Sequence, residues 1–318
     1  MLVVAPNLTA DRRLFLGRLE PGTVARPWRA EALPGGKPVN VARALRAHEV
    51  TAEMVALLPA ESTGWLTARL AAEGLALSGV EYPGAVRDAV IVYEDSGRVT
   101  VLNCPGPELP AWGWERFVDL VAARARAHDM VVCAGSLPPG VPDDALSQLL
   151  AATHQAGARF LADAGPRWLA ALLPWRPDLV SPNLAEAHAT LAGGRGDSEP
   201  VEVHVLAEDQ ACRAAEDLVS AGARAALVTA GAAGVAYCDG ESTGFVDALA
   251  VEVVNPISAG DSFLAGVAAR LEAGDPLAEA VRWGVATASA AITQWLPGGA
   301  ERELMLKLVD RVGAVRPR

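Results

Sequence analysis

Asn255-Pro256-Ile257-Ser258-Ala259-Gly260-Asp261-Ser262-Phe263-Leu264-Ala265-Gly266 is the stretch on which the reading of this chain turns. After Asp261, residues Leu264, Val267, Ala268 and Leu271 recur on one helical face, and Gly274 ends the helix. Before it, Ser258, Ala259 and Gly260 are small enough to let backbone N–H groups converge at the helix N-terminus. Such a terminus binds an anion, and the helix dipole adds to the attraction. Asp261 then falls in the first turn, beside the anion. A carboxylate next to a transferring phosphoryl group can take the proton of an attacking hydroxyl. The plainer role for an aspartate there is to cap the helix.

Outward from this segment, short apolar, β-branched runs alternate with longer stretches of helical period. Leu2–Ala5, Met130–Ala134, 160–162, Leu179–Val180 and Ala226–Thr229 read as buried strands, and 114–127, 143–156 and 209–221 as helices between them. That alternation predicts an α/β fold: a mainly parallel sheet with helices on both faces. Two stretches, approximately 12–33 and 86–102, show period-2 character without an intervening long helix, and Asp95-Ser96-Gly97 reads as a hairpin turn. They are expected to form a small β-sheet lid. Polar residues follow the predicted strands at Asn7 to Asp11, Gly135-Ser136, Asp163, Asn183 and Thr229-Ala230-Gly231. Ligands of open parallel sheets bind outside the carboxyl ends of the strands, so the chemistry is expected along that edge. Gly193-Gly194-Arg195-Gly196-Asp197-Ser198 reads as a flexible loop too short to link domains.

Composition narrows the function classes. The chain has 318 residues, 51% of them hydrophobic, enough for a sizeable core. A formal charge of −11 argues against nucleic acid or an anionic membrane as the main partner, though local basic residues can still hold a small anion. Lys37 and Lys307 are the sole lysines, so a lysine kept inside a glycine turn hints at function. Cys104, Cys133, Cys212 and Cys238 lie far apart without a C-x-x-C pair, which suits buried free thiols in a reducing compartment. No apolar run reaches membrane-spanning length and no signal segment opens the chain, so a cytoplasmic protein is expected.

Three motifs in order resemble the PfkB (ribokinase-like) carbohydrate kinases, especially their 1-phosphofructokinase and tagatose-6-phosphate kinase branch. Pro34-Gly35-Gly36-Lys37-Pro38-Val39-Asn40 is similar to the first signature, a glycine turn opening a helix. Gly135-Ser136-Leu137-Pro138-Pro139-Gly140 matches the mid-chain turn, and the segment around Asp261 resembles the second signature. The resemblance implies a single ribokinase-like three-layer α/β/α domain over 1–318. It makes Asp261 the base and the amides of Ala259, Gly260 and Asp261 an anion hole. Asn7-Leu8-Thr9-Ala10-Asp11-Arg12 looks like the opening segment whose aspartate bonds sugar hydroxyls, and Leu102-Asn103-Cys104-Pro105-Gly106-Pro107-Glu108-Leu109 resembles a stretch typical of the phosphofructokinase-like branch rather than of ribokinases.

The same resemblance distributes the remaining roles. Asp11, Asn40, Gly35, Gly36 and Ser136 fall on the sugar side, and Arg87, helped by Arg26 and Lys37, on the phosphate the substrate already carries. Arginine suits that task because its fork presents paired donors to phosphate oxygens. Thr229, Gly231, Gly234 and Ser258 fall on the ATP side. Asn183 and Glu186, three apart at a helix start, would organise Mg²⁺ through water; the plainer reading is a helix cap. The expected reaction is ATP-dependent phosphorylation of a ketohexose phosphate, by a homodimer pairing through its lids. The alternatives are a non-catalytic sugar-phosphate or nucleotide sensor on the same scaffold, or a kinase for an unphosphorylated sugar or nucleoside. An NAD-dependent oxidoreductase would need G-x-G-x-x-G after the first strand, where this chain has Pro6-Asn7-Leu8-Thr9. Departures from the family pattern are Pro38 and Ser258, both at glycine positions, and Ser181 at a lysine position. Pro38 removes a backbone donor, and Ser258 is strained if its φ is positive.

Overall fold

The computed structural model describes residues 1–194 and 208–318, so 195–198 of the expected glycine-rich loop lie outside the described residues. In chain order the strands begin β1 (Leu2–Ala5), β2 (Thr9–Leu16), β3 (Arg29–Gly35), β4 (Glu53–Pro59), β5 (Ala76–Tyr82), β6 (Arg87–Glu94) and β7 (Val99–Asn103). They continue β8 (Met130–Ala134), β9 (Arg159–Asp163), β10 (Leu179–Val180), β11 (Ala226–Thr229), β12 (Gly234–Cys238), β13 (Thr243–Asp247) and β14 (Arg316–Pro317). The helices are α1 (Lys37–Leu45), α2 (Thr63–Ala72), α3 (Ala111–Ala125), α4 (Ala145–Gln155) and α5 (Pro166–Leu172). After them come α6 (Leu184–Leu191), α7 (Glu208–Ser220), α8 (Ala259–Glu272), α9 (Leu277–Ile292) and α10 (Arg302–Val309).

The large sheet has the order β14-β13-β12-β11-β10-β9-β8-β1-β4-β5. From β5 to β11 every pairing is parallel; β12, β13 and β14 extend it antiparallel. Strand order reverses at β1, which lies between β4 and β8, and a crevice opens at the carboxyl ends beside such a switch point. Strand alternation feeds two cores. Val3, Ala5, Met54 and Ala56 face one layer with α1, α8 and α9, whereas Leu2, Val4, Val55 and Leu57 face the other with α3, α4 and α7. This is the expected three-layer α/β/α arrangement.

A separate sheet has the order β3-β2-β6-β7. It is the small separate sheet expected, built from the two stretches read as lid strands. An exposed loop over 17–28 lies between β2 and β3, and β2 pairs with β6 in parallel, a pairing the sequence did not specify. The hairpin at Asp95-Ser96-Gly97 is present: Gly97 N–H donates to the Glu94 carbonyl at 2.8 Å. Asp11, Arg13 and Phe15 share the inner face with Ala89, Ile91 and Tyr93, while Arg12, Leu14, Val90 and Leu102 share the outer face. No helix among the described residues is long and apolar enough to cross a membrane.

Candidate active site

Sheet order lines the candidate residues up. Asn7 follows β1, Ser136 follows β8, Asp163 ends β9, Asn183 follows β10 and Thr229 ends β11, on five adjacent strands. Four interstrand steps of about 4.8 Å make a row about 19 Å long. The row borders a cavity of roughly 880 Å³, roofed by Ala89, Ile91, Val101 and Asn103 of the lid.

At one end, Arg87 opens β6 and its Nη2 donates to Ser136 Oγ at 3.1 Å. Asn7 Nδ2 donates to the same oxygen at 3.1 Å, and Arg87 Nη1 reaches the Cys104 carbonyl at 3.4 Å. Asp11 is 6% exposed and accepts from Thr9 Oγ1 at 2.6 Å. Burial raises its pKa above the usual carboxylate value; the Thr9 hydroxyl and the guanidiniums of Arg43, Arg13 and Arg87 oppose that rise without cancelling it. Gly35 sits beneath Asp11. A Cβ there would fall 2.1 Å from the carboxyl carbon, so any side chain at this position would displace the Asp11 carboxylate.

Gly36, at φ 96, turns the chain into α1 and presents Lys37 and Asn40 to the cavity. Pro38 is the second residue of α1, where the N–H has no partner within the helix in any case, so the helix loses nothing by it. Lys37 Nζ pairs with Asp163 Oδ1 at 2.9 Å and lies 4.0 Å from Glu186 Oε1. It therefore reaches across the row toward β9 and β10. Asn40 is 5% exposed and donates from Nδ2 to Asp261 Oδ2 at 2.8 Å; its Oδ1 is buried without a hydrogen-bond partner. A substrate hydroxyl would satisfy that orphan oxygen.

Asp261 lies in the first turn of α8. The first i→i−4 bond into this turn is donated by Ser262 to the Ser258 carbonyl at 2.9 Å. The amides of Ala259, Gly260 and Asp261 precede it, at the N-terminal turn where helix geometry itself supplies no i−4 carbonyl. Ser258 has φ 74, the left-handed conformation that disfavours a side chain. Its Oγ accepts from the Gly298 N–H at 2.7 Å, a bond that glycine could not form and that offsets the strain.

Toward β11, Asn183 and Glu186 form a reciprocal capping box: Asn183 Oδ1 accepts from the Glu186 N–H at 2.9 Å, and Glu186 Oε2 from the Asn183 N–H at 2.8 Å. The helix cap of the plainer expectation is thus present, but Glu186 is buried rather than a surface residue, and both residues border the cavity. Among the described residues no group of three or more His, Cys, Asp or Glu side chains forms a metal cluster. Thr229, Gly231 and Gly234 line the far end, together with an apolar wall that includes Leu249, Val251, Val253, Val285, Ala288 and Ile292.

The cavity thus gathers Asp11, Gly36, Lys37, Asn40, Arg87, Ser136, Asn183, Glu186, Thr229, Gly231, Gly234, Ser258, Ala259, Gly260 and Asp261. Arg26 sits in the exposed 17–28 loop and Gly35 beneath Asp11; neither lines the cavity. Sequence reasoning placed Asp163 on the ligand-binding edge and Asn103 in a branch motif without giving either a role, and it left the apolar wall out of the site. Asp163 carried a signal, a carboxylate at the end of a buried strand. Residues of the wall carry none, because they read as core.

Comparison with known proteins identifies the family of the chain. The family model described as pfkB family carbohydrate kinase matches residues 4–300. The chain belongs to that family. This kinase is 31% identical to a 1-phosphofructokinase of Rhodobacter capsulatus, over 88% of its own length and 83% of the relative's. It is 32% identical to the ATP-dependent 6-phosphofructokinase isozyme 2 of Escherichia coli, over 91% of each chain. The crystal structure of phosphofructokinase-2 from Escherichia coli in complex with potassium superposes with a TM-score of 0.86, at 26% identity and over 98% of both chains. The kinase is therefore a phosphotransferase acting on a sugar hydroxyl, of the phosphofructokinase-like kind. Membership of a kinase family implies ATP as the phosphoryl donor.

Proposed function

We propose that the protein transfers the terminal phosphoryl group of ATP to a free hydroxyl of a ketohexose phosphate, with Asp261 as the general base. The observation that carries this reading is the placement of Asp261: buried, held by Asn40, and adjacent to the three amides that open α8. The sugar lies beneath the lid, its hydroxyls on Asp11 and on the orphan Oδ1 of Asn40. Arg87, Ser136 and Asn7 together make a forked, donor-rich corner that suits the phosphate already present. ATP extends along the opposite end of the row, its phosphates by Thr229, Gly231 and Gly234 and its base on the apolar wall.

Asp261 takes the proton of the attacking hydroxyl as the oxygen–phosphorus bond forms, and ADP leaves with the bridging oxygen. The amides of Ala259, Gly260 and Asp261, with Lys37, offset charge on the phosphoryl oxygens in transit. Mg²⁺ belongs, on this reading, with the polar residues that open α6 and border the cavity. Glu186 Oε1 and Asn183 would hold it through water, and a magnesium ion there would neutralise phosphate charge. The lid excludes water and so limits wasteful hydrolysis of ATP. Its outer face carries half-buried Leu14 and Val90 and a Leu102 that is 56% exposed, an apolar strip suited to a second copy of the chain.

Relatives that act on the 1-phosphate and the 6-phosphate of fructose are both at hand, so the substrate needs a direct assay. ATP consumption should be followed with fructose 1-phosphate, fructose 6-phosphate, tagatose 6-phosphate and unphosphorylated sugars. The reading expects turnover with at least one phosphorylated ketose and a far weaker rate with every unphosphorylated sugar. A preference for an unphosphorylated sugar would contradict it.

A further inference from the structure

The inner face of the lid buries a charge for which phosphoryl transfer as described has no use. Arg13, in β2, is 3% exposed. Its guanidinium pairs with Glu31 at 2.9 Å and lies 5.6 and 5.3 Å from the ring centres of Phe15 and Tyr93. Its Nη2 donates to the backbone carbonyl of Trp295 at 2.7 Å. Trp295 is not part of the lid; it stands in the turn that follows α9.

The same carbonyl accepts a second bond, at 3.1 Å, from Nδ2 of Asn255. Asn255 is 1% exposed and opens the segment leading to Asp261, and its Oδ1 accepts from the Ile257 N–H at 3.1 Å. The Ile257 side chain in turn packs on the lid cluster of Phe15, Ile91 and Tyr93. A polar path and an apolar one thus join the lid to the turn carrying the three amides and the base. Three residues past Trp295, the turn presses on α1 as well: a Cβ on Gly298 would fall 2.4 Å from the Asn40 carbonyl oxygen.

We infer that Arg13 is a positioning residue for phosphoryl transfer, acting through the Trp295 carbonyl to hold the 257–261 turn in its working geometry. A carbonyl fixed by two donors is a stiff anchor, and one of the two donors comes from the lid. Without the guanidinium, Asn255 alone holds that anchor, and the amides at the start of α8 gain freedom. Preorganised donors work because they do not have to reorganise as charge develops, so the looseness costs turnover rather than sugar binding. The inference rests on the proposed roles of Asp261 and its neighbouring amides.

The test compares wild type with Arg13→Met, which keeps the apolar stem, and with Arg13→Lys, which keeps the charge but reaches one acceptor rather than two. Hydrogen exchange of the 256–261 segment is measured in the ligand-free protein, alongside kcat and KM with the best sugar phosphate. Arg13→Met should speed exchange in that segment about tenfold or more and leave the central strands β1 and β8 unchanged. It should lower kcat about tenfold or more while KM for the sugar phosphate stays within about threefold, with Arg13→Lys intermediate. Unchanged exchange at 256–261, or a raised sugar KM with kcat retained, would overturn the inference and leave Arg13 as a lid strut. Should Arg13→Met not fold, Arg13→Lys is read by the same two measurements: faster exchange with lower kcat supports the coupling, and no change in either overturns it. A wild type inactive on every sugar phosphate would sink the proposed substrate class, while the exchange result would still decide the coupling.

Discussion

Nδ2 of Asn40 donates to Oδ2 of Asp261 at 2.8 Å, so two helix starts 221 residues apart in sequence share one hydrogen bond. Gly36 opens the first helix and Ser258 the second, and the carboxylate between them is oriented by both. Asn40→Asp places a second carboxylate against the first, and two such groups cannot both ionise at this distance. The pair should share a proton, and the acid limb of the kcat–pH profile should move up by about one unit or more. An unshifted limb would mean that Asp261 does not titrate in the rate profile.

Arg87 forms the forked corner with Ser136 and Asn7. Arg87→Ala should raise KM for the sugar phosphate and leave KM for ATP nearly untouched. The loss should be on the order of 2–4 kcal/mol in kcat/KM for the sugar, because a charge-assisted contact disappears and a phosphate is left under-paired. If both KM values rise together, Arg87 acts on the lid hinge instead.

Asp11 illustrates a conflict between function and stability. Its folded-state pKa is raised by burial, so the folded protein holds this proton more tightly than the unfolded chain, whose reference value is 3.8. Stability from this group therefore falls as pH rises through the window from 3.8 to the raised value, and the penalty grows toward neutral pH. Asp11→Asn should raise Tm at pH 7, with the gain over wild type shrinking as pH falls toward about 4. The same variant should bind the sugar more weakly. A Tm gain that is unchanged by acidification would place its origin elsewhere.

The apolar outer face of the lid predicts a two-fold dimer with lid packed on lid. Light scattering at micromolar concentration, with and without sugar phosphate, should give twice the monomer mass. Leu102→Glu should shift the distribution toward monomer, since a buried unpaired charge is costly. A strict monomer under both conditions would show that this strip stays in water.

Much of this was readable in the sequence, for identifiable reasons. Buried parallel strands such as Leu2–Ala5 and Met130–Ala134 are continuous apolar runs, and they appear with the expected bounds. Helix starts announce themselves through Gly36, Asn183 and Asp261, because cap chemistry is local. What escaped depends on tertiary approach. Parallel pairing of β2 with β6 joins residues that are about seventy-eight positions apart, as at Thr9 and Arg87, and no turn signal encodes it. The apolar wall of the cavity looks like core until the fold leaves it uncovered. Ser258 was legible as a departure, but the Gly298 bond that accommodates it was not. Lys37 was expected to help Arg87 on the substrate phosphate; its pairing with Asp163, a contact fixed by strand order, was not legible.

The central claim is that Asp261 is the base, and turnover of Asp261→Asn tests it most directly. The substitution keeps size and the polar contact with Asn40 but removes the capacity to accept a proton. With the best sugar phosphate, kcat should fall about a hundredfold or more while affinity for ATP is largely kept. A clean preparation of Asp261→Asn with near-normal kcat would contradict the account.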